Sequence, residues 1–250
     1  MDTTRPDMTR LPDLATTEGR VTPHRTRVPV YVDLLPPCNA ACPAGENIQE
    51  WLRLLKEGQP ESAWRVLTRD NPFPAIHGRV CYHPCETSCN RKELDGAVSI
   101  HAVERNLGDM ALKNGWQFEK PRNSSGRRVL VIGAGPSGLS AAYHLARQGH
   151  EVEIRDGGDE PGGMMRYGIP EYRLPRDVLD GEISRLVELG VTITLGYHVT
   201  DLATEQREGR FDAVFIAIGA HLSKRVDIPN QDASRILDAT TFLRGVASGE

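Results

Sequence analysis

Arg128-Val-Leu-Val-Ile-Gly133-Ala134-Gly135-Pro136-Ser137-Gly138 is the stretch that decides the fold. A short apolar run enters three glycines spaced G-x-G-x-x-G, and a helix-forming segment from Ser137 to Gln148 follows. Strand, glycine turn and helix in that order give the fingerprint a mechanical meaning. Gly133 permits the tight turn, Gly135 lets backbone approach a pyrophosphate, and Gly138 lets the helix pack on the strand. The helix start offers N–H groups and partial positive charge to phosphate. Glu151 to Arg155 reads as a second strand, which makes a βαβ unit with parallel strands. Asp156 follows it, placed to accept hydrogen bonds from ribose hydroxyls.

Downstream, Pro161-Gly-Gly-Met-Met-Arg-Tyr-Gly-Ile-Pro-Glu-Tyr-Arg-Leu-Pro175 carries paired glycines that allow a second close backbone approach. Arg166 and Arg173 lie within it, where guanidinium groups can reach phosphate. Residues 177–189 read as an amphipathic helix, Val191 to Leu195 as a strand, and Phe211 to Ile218 as a strongly apolar, central strand. The class is α/β, a Rossmann-like domain with a parallel sheet.

Upstream the pattern changes to helices and thiols. All five cysteines fall in one window, as Cys38-x3-Cys42-Pro and Cys81-x3-Cys85-x3-Cys89. From Asn47, a natural cap, Ile48, Trp51, Leu52 and Leu55 share a helical face that ends at Gly58. Glu61 to Thr68 predicts a second helix, Asn71-Pro-Phe-Pro74 a break, and Ile100, Val103, Leu107 and Met110 or Ala111 one side of a third. The expected layout is a tail over 1–30, a helical metal domain over 31–120, a linker over 121–126 and the Rossmann-like domain over 127–250.

An odd, clustered set of thiols in a chain with no export signal points to metal rather than disulfides. An iron–sulfur cluster suits thiolates that converge when the intervening helices fold back. Zinc is the competitor, but structural zinc sites favour Cys-x2-Cys pairs. His77, His83 and His101 could also ligate, although a lone histidine is more often an ordinary polar residue. The formal charge of −4 argues against nucleic acid or an anionic membrane as partner. No stretch reaches the roughly 18 apolar residues of a membrane span, and a cytoplasmic location is expected.

Three segments resemble the glutamate synthase small-subunit family, which includes the N-terminal half of dihydropyrimidine dehydrogenase. They are Cys38-Asn-Ala-Ala-Cys42-Pro; Asn71-Pro-Phe-Pro-Ala-Ile-His-Gly-Arg-Val-Cys81 with Cys85-Glu; and the Gly133 turn with Gly162-Gly-Met-Met-Arg-Tyr-Gly-Ile-Pro. The resemblance implies that the βαβ unit binds FAD. It puts the pyrophosphate at Gly133, Ala134, Gly135 and Ser137, the ribose at Asp156, and the flavin ring near Gly163, Met164 and Met165. Val199 would lie by the adenine, and Phe211 to Gly219 would return beneath the cofactor. Core packing is the plain alternative for Met164 and Met165.

The resemblance also implies a [4Fe-4S] cluster on Cys42, Cys81 and Cys85 with Glu104 as an oxygen ligand. The bland reading of Glu104 is a solvated helix residue. A second cluster would need two further cysteines just before Cys38, and Val32-Asp-Leu-Leu-Pro-Pro37 stands there instead. Cys38 and Cys89 are thus half of a lost site, partners of ligands from another subunit, or buried thiols. One cluster is expected.

No residue reads as an acid, base or nucleophile, which fits chemistry carried by cofactors. The resemblance implies NAD(P)H as hydride partner, on a second nucleotide fold that relatives begin where this chain stops. The expected function is an oxidoreductase passing electrons between NAD(P)H, flavin and cluster to a partner oxidoreductase or synthase subunit, in a hetero-oligomer. The alternatives are an electron-transfer subunit without substrate chemistry of its own, docking through its tail, and a non-redox scaffold.

Overall fold

The computed structural model describes residues 35–222 and 236–249. The expected N-terminal tail and its docking role lie outside those residues.

Five helices among the described residues open with proline. Proline at the first helical position loses no hydrogen bond, because its N–H would be unpaired anyway. In the N-terminal half it starts α1 (Pro37–Ala41), α3 (Pro60–Leu67), α4 (Pro74–Val80) and α5 (Pro84–Thr87). Between the first two of these runs α2 (Ile48–Lys56), with the Asn47 side chain accepting from Glu50 N–H at 3.3 Å. Its core-facing residues are Ile48, Trp51 and Leu54, whereas Leu52 and Leu55 stay half-buried on its flank. The long α6 (Ile100–Asn114) closes this part.

α4 and α6 pack almost backbone to backbone. A Cβ added at Gly108 would stand 2.3 Å from the Ala75 nitrogen, and one at Gly78 would stand 2.4 Å from the Arg105 nitrogen, so neither position admits a side chain. Arg79 fastens the pair, bonding Asp109 at 2.7 and 3.0 Å and the Ala75 carbonyl at 2.8 Å.

The α/β part contains β1 (Arg128–Ile132), α7 (Pro136–Arg147), β2 (Glu151–Arg155), α8 (Met164–Tyr167), α9 (Arg176–Leu189), β3 (Thr192–Thr194), α10 (Leu202–Glu208), β4 (Ala213–Ile216) and α11 (Ala239–Ser248). The four strands are all parallel in the order β3-β2-β1-β4, with Val131 opposite Ile154 and Phe215. β1 is buried along most of its length, as a strand flanked on both sides must be. The apolar strand expected at the sheet centre is instead β4, at its edge among the described residues. Phe215 is 41% and Ile216 55% exposed, so its apolar character reflects an open face rather than central burial.

Residues from Pro36 onward form one compact unit. One apolar core runs from Trp51, Trp64 and Phe73 of the helices to Leu139, Tyr143 and Leu186 of the α/β part. A buried polar contact crosses the same boundary. Glu182 on α9 accepts from Ala75 N–H at 2.8 Å and pairs with Arg185 at 2.7 Å, and the Arg185 guanidinium lies 5.3 Å from the Trp64 ring centre.

Burial pushes the Glu182 carboxyl up to about 7, against the pull of Arg185 and of the Ala75 N–H. A raised folded value means the folded chain binds a proton more tightly than the unfolded one. The associated stability is fully present below the ordinary value of 4.5 and is lost as pH rises through about 7. Glu182→Gln removes this titration. Between about pH 5 and about pH 8 the cofactor-free variant is therefore expected to lose about 2 kcal/mol less stability than the wild type, measured by urea unfolding.

Candidate cofactor sites

The glycine turn is built by contacts that exclude side chains. A Cβ on Gly138 would lie 1.9 Å from the Gly133 carbonyl oxygen, and Gly133 itself has φ +110° with the Ala217 carbonyl 2.3 Å from where its Cβ would be. Helix α7 thus starts directly on the turn, leaving the first-turn N–H groups of Ser137 and Gly138 without an i−4 carbonyl inside the helix. The second glycine pair closes on the same place. Gly162 N–H donates to the Ala134 carbonyl at 2.8 Å, and Gly163, at φ +51°, sits so close to Gly135 that an added Cβ would be 2.7 Å from its Cα.

Asp156 ties this cradle together. Its carboxylate accepts from Ala134 N–H at 2.6 Å and from Gly158 N–H at 2.7 Å, one bond to each oxygen. Each oxygen retains a further lone pair for a hydroxyl donor. Beyond the turn, Met165 is buried in the core. Met164 is 42% exposed and borders a cavity of about 190 Å³ with Tyr167, His221 and Arg244. The packing alternative therefore describes Met165 and not Met164.

The arginines divide differently from their sequence reading. Arg166 is buried and its guanidinium is fully engaged, with the Pro161 carbonyl at 2.7 Å, Glu160 at 2.7 Å and Asp180 of α9. It braces the loop instead of reaching for phosphate. Arg173 is exposed. Arg176, which the sequence did not single out, binds the carbonyls of Ile169, Leu174 and Met165 and holds the same loop from the other side. Val199 packs against Phe211, Leu130 and Ile132, and Gly219, at φ +73°, ends the run after β4.

In the helical part all five thiols are free, and α1 packs against α5. Electrostatic coupling places four of the five thiols in two neighbourhoods: Cys85 feels Cys42, Glu86 and Glu104, while Cys38 feels Cys89. Burial pushes the Cys85 thiol up to about 12 and raises Cys42 and Cys38, whereas backbone N–H groups, first that of Val98, lower Cys89. His83 N–H donates to the Cys81 sulfur at 3.3 Å from a left-handed backbone, φ +53°.

Glu104 is buried, which overturns its reading as a solvated helix residue. Its Oε1 accepts from the Asn71 amide at 2.8 Å, and the same amide nitrogen donates to Glu46 at 2.9 Å. Asn71 Oδ1 in turn accepts from Phe73 N–H at 3.0 Å and faces His77 Nδ1 at 2.7 Å. Every donor and acceptor position of that amide is used, and burial pushes the Glu104 carboxyl up to about 9 and raises that of Glu46. Asn71→Ala strands both carboxyls. About 1–3 kcal/mol is expected for each buried group left unpaired, read as a lowered urea midpoint.

Among the described residues no three Cys, His, Asp or Glu side chains come together as the ligands of a single ion. A four-iron cube is held at its corners by separate side chains. The donor set here fits it: the free thiols of buried Cys85 and half-buried Cys42 and Cys81, the buried Glu104 carboxyl, and a backbone N–H directed at the Cys81 sulfur.

Comparison with known proteins bears on both sites. Residues 34–116 match the profile described as dihydropyrimidine dehydrogenase domain II, 4Fe-4S cluster. Residues 131–205 match that of the NAD(P)-binding Rossmann-like domain. The glutamate synthase [NADPH] small chain of Mycobacterium tuberculosis is 36% identical over 211 residues, covering 84% of this chain and 43% of its own. This chain is a homologue of that small chain.

Other relatives share the same region. The NADP(+)-dependent formate dehydrogenase subunit beta of Moorella thermoacetica is 37% identical, over 83% of this chain and 33% of its own. The NADPH-Fe(3+) oxidoreductase subunit beta of Geobacter sulfurreducens is 36% identical, over 78% of this chain and 30% of its own. The chain thus spans less than half the length of these relatives. An iron–sulfur domain followed by a Rossmann-like domain is the architecture the homology shows, and no helix among the described residues is long and apolar enough to cross a membrane.

Proposed function

We propose that this chain is the flavin- and cluster-bearing part of an NAD(P)H-dependent oxidoreductase, with FAD on the Gly133 turn and one [4Fe-4S] cluster on Cys42, Cys81, Cys85 and Glu104. The observation that carries the reading is that a glycine turn at the start of a helix and a group of thiols around the buried Glu104 carboxyl belong to one compact unit with a shared core. Bound there, a flavin would take a hydride as two electrons and a cluster would pass electrons on singly.

The chain's own residues supply binding and exclusion of water. Gly133, Gly135 and the start of α7 would hold the pyrophosphate and Asp156 would accept from a ribose hydroxyl, while the Gly162–Gly163 pair closes over the turn. FAD is read there from the resemblance of the Gly133 turn and the Gly162–Gly163 segment to the glutamate synthase small-subunit family, although the matched profile is described as NAD(P)-binding. Cys42, Cys81 and Cys85 must lose protons to bind iron. The burial that raises Cys42 and Cys85 makes cluster loading a proton-releasing step.

The relatives named above are named as chains or subunits, which supports a partner subunit as electron acceptor and a hetero-oligomer. Anaerobic titration of the full-length protein with NADH and NADPH in turn, following flavin and cluster absorbance, tests the reading. Bleaching of both bands by one nucleotide is expected. A purified protein with zinc and no iron, or with no extractable flavin, defeats it.

A further inference from the structure

The helix that leads into Cys81 has no cap of its own. Phe73 at the cap position has no side-chain acceptor, Pro74 has no N–H, and Ala75 is fully buried, so water cannot serve its N–H. The acceptor comes from 107 residues further along, the Glu182 carboxylate on α9. Two residues earlier on the same helix, Asp180 holds Arg166 of the loop that closes the glycine turn. One rigid helix therefore grips the nucleotide loop with Asp180 and the start of the cysteine-bearing helix with Glu182.

We propose that Glu182 is a positioning residue that fixes α4, and through it Cys81, relative to the nucleotide turn, and so governs electron passage between the two sites. The inference rests on the proposed function. The contact has the properties such a link requires. It is buried with both Glu182 carboxylate oxygens paired, it joins segments far apart in sequence, and α4 has little freedom to absorb its loss, since Gly108 abuts Ala75 and Arg79 is locked to Asp109. An ion pair serving stability alone could be exchanged for apolar residues at little cost.

That exchange is the test. Glu182→Leu with Arg185→Leu removes the cap without leaving a buried charge unpaired, while Glu182→Gln keeps an oxygen that can accept from Ala75 N–H. In the cofactor-free full-length protein, amide exchange across residues 75–81 is expected to accelerate in the double variant and to stay near wild type in Glu182→Gln. In the loaded protein, reduced anaerobically with NAD(P)H in a stopped-flow cell, flavin-to-cluster transfer is expected to slow at least about tenfold in the double variant, with flavin content unchanged.

Wild-type exchange and wild-type transfer in a folded double variant overturn the proposal. If that variant does not fold, Glu182→Asp decides, because it keeps the charge beside Arg185 and shortens the reach by one methylene. Slowed transfer then supports the role, and an unchanged rate refutes it. A wild-type protein that binds no cluster or flavin defeats the proposed function instead, and is recognised before any variant is made.

Discussion

Cys85→Ser is expected to strip the protein of cluster iron and leave its flavin in place. Cys85 is buried in the helical core, its thiol stands beside Cys42 and Glu104, and burial holds its proton up to about 12. Such a site stabilises a neutral thiol, so only a strongly bound cation compensates the thiolate. A serine hydroxyl is a poor replacement, being far less readily ionised than a thiol. Iron and sulfide assays with visible absorbance should fall to background in Cys85→Ser, Cys81→Ser and Cys42→Ser. Cys38→Ser and Cys89→Ser should retain both. Equal loss of iron in Cys38→Ser would move that thiol into the ligand set, and full retention in Cys85→Ser would remove the proposed cluster from this site.

Gly138→Val is expected to have the other large effect, and on the opposite cofactor. The first atom of any side chain at this position falls 1.9 Å from the Gly133 carbonyl oxygen and 3.2 Å from Val131 Cγ1. Both neighbours belong to β1 or the turn it feeds, which is held between β2 and β4 and cannot retreat. Relief requires α7 to lift from the sheet, which withdraws its first-turn N–H groups from the phosphate position. Overpacking of this kind costs about 3 kcal/mol or more. Flavin content after purification and urea unfolding should both register it. A Gly138→Val protein with wild-type flavin content and stability would contradict the role assigned to the turn.

The two sites were legible in the sequence to different degrees. The nucleotide turn is local: strand, glycines, helix and acid lie within about thirty residues, and period and spacing reveal them. Asn47 as a cap and Gly133 and Gly138 as close approaches could likewise be read from residue type. The short helices α1, α4 and α5 hide better. Each is under eight residues and opens with proline, which sequence reading takes first as a break.

Arg166 and Glu104 show a different limit. Both are charged and would ordinarily be assigned to solvent, yet both are buried. The partners that make burial tolerable, Asp180 and Glu160 for the first and Asn71 for the second, come from other parts of the chain. Asn71 was visible only as the start of a Pro-Phe-Pro motif, and nothing in its own spacing marks an amide that serves two carboxyls. β4 was misplaced because an apolar run marks burial on average, and edge position depends on which strands pair.

By itself the sequence determined the βαβ unit, the class of ligand its turn can cradle and the thiol-bearing helical region before it, because each rests on contacts between residues close in the chain. Only the tertiary structure decided that β4 is an edge among the described residues, that Glu104 is buried, that Cys85 neighbours Cys42 while Cys38 neighbours Cys89, and that Glu182 caps a helix from 107 residues away. Those outcomes depend on long-range pairing. A buried charge is stable only where a distant partner arrives to satisfy it, and residue spacing does not encode that arrival.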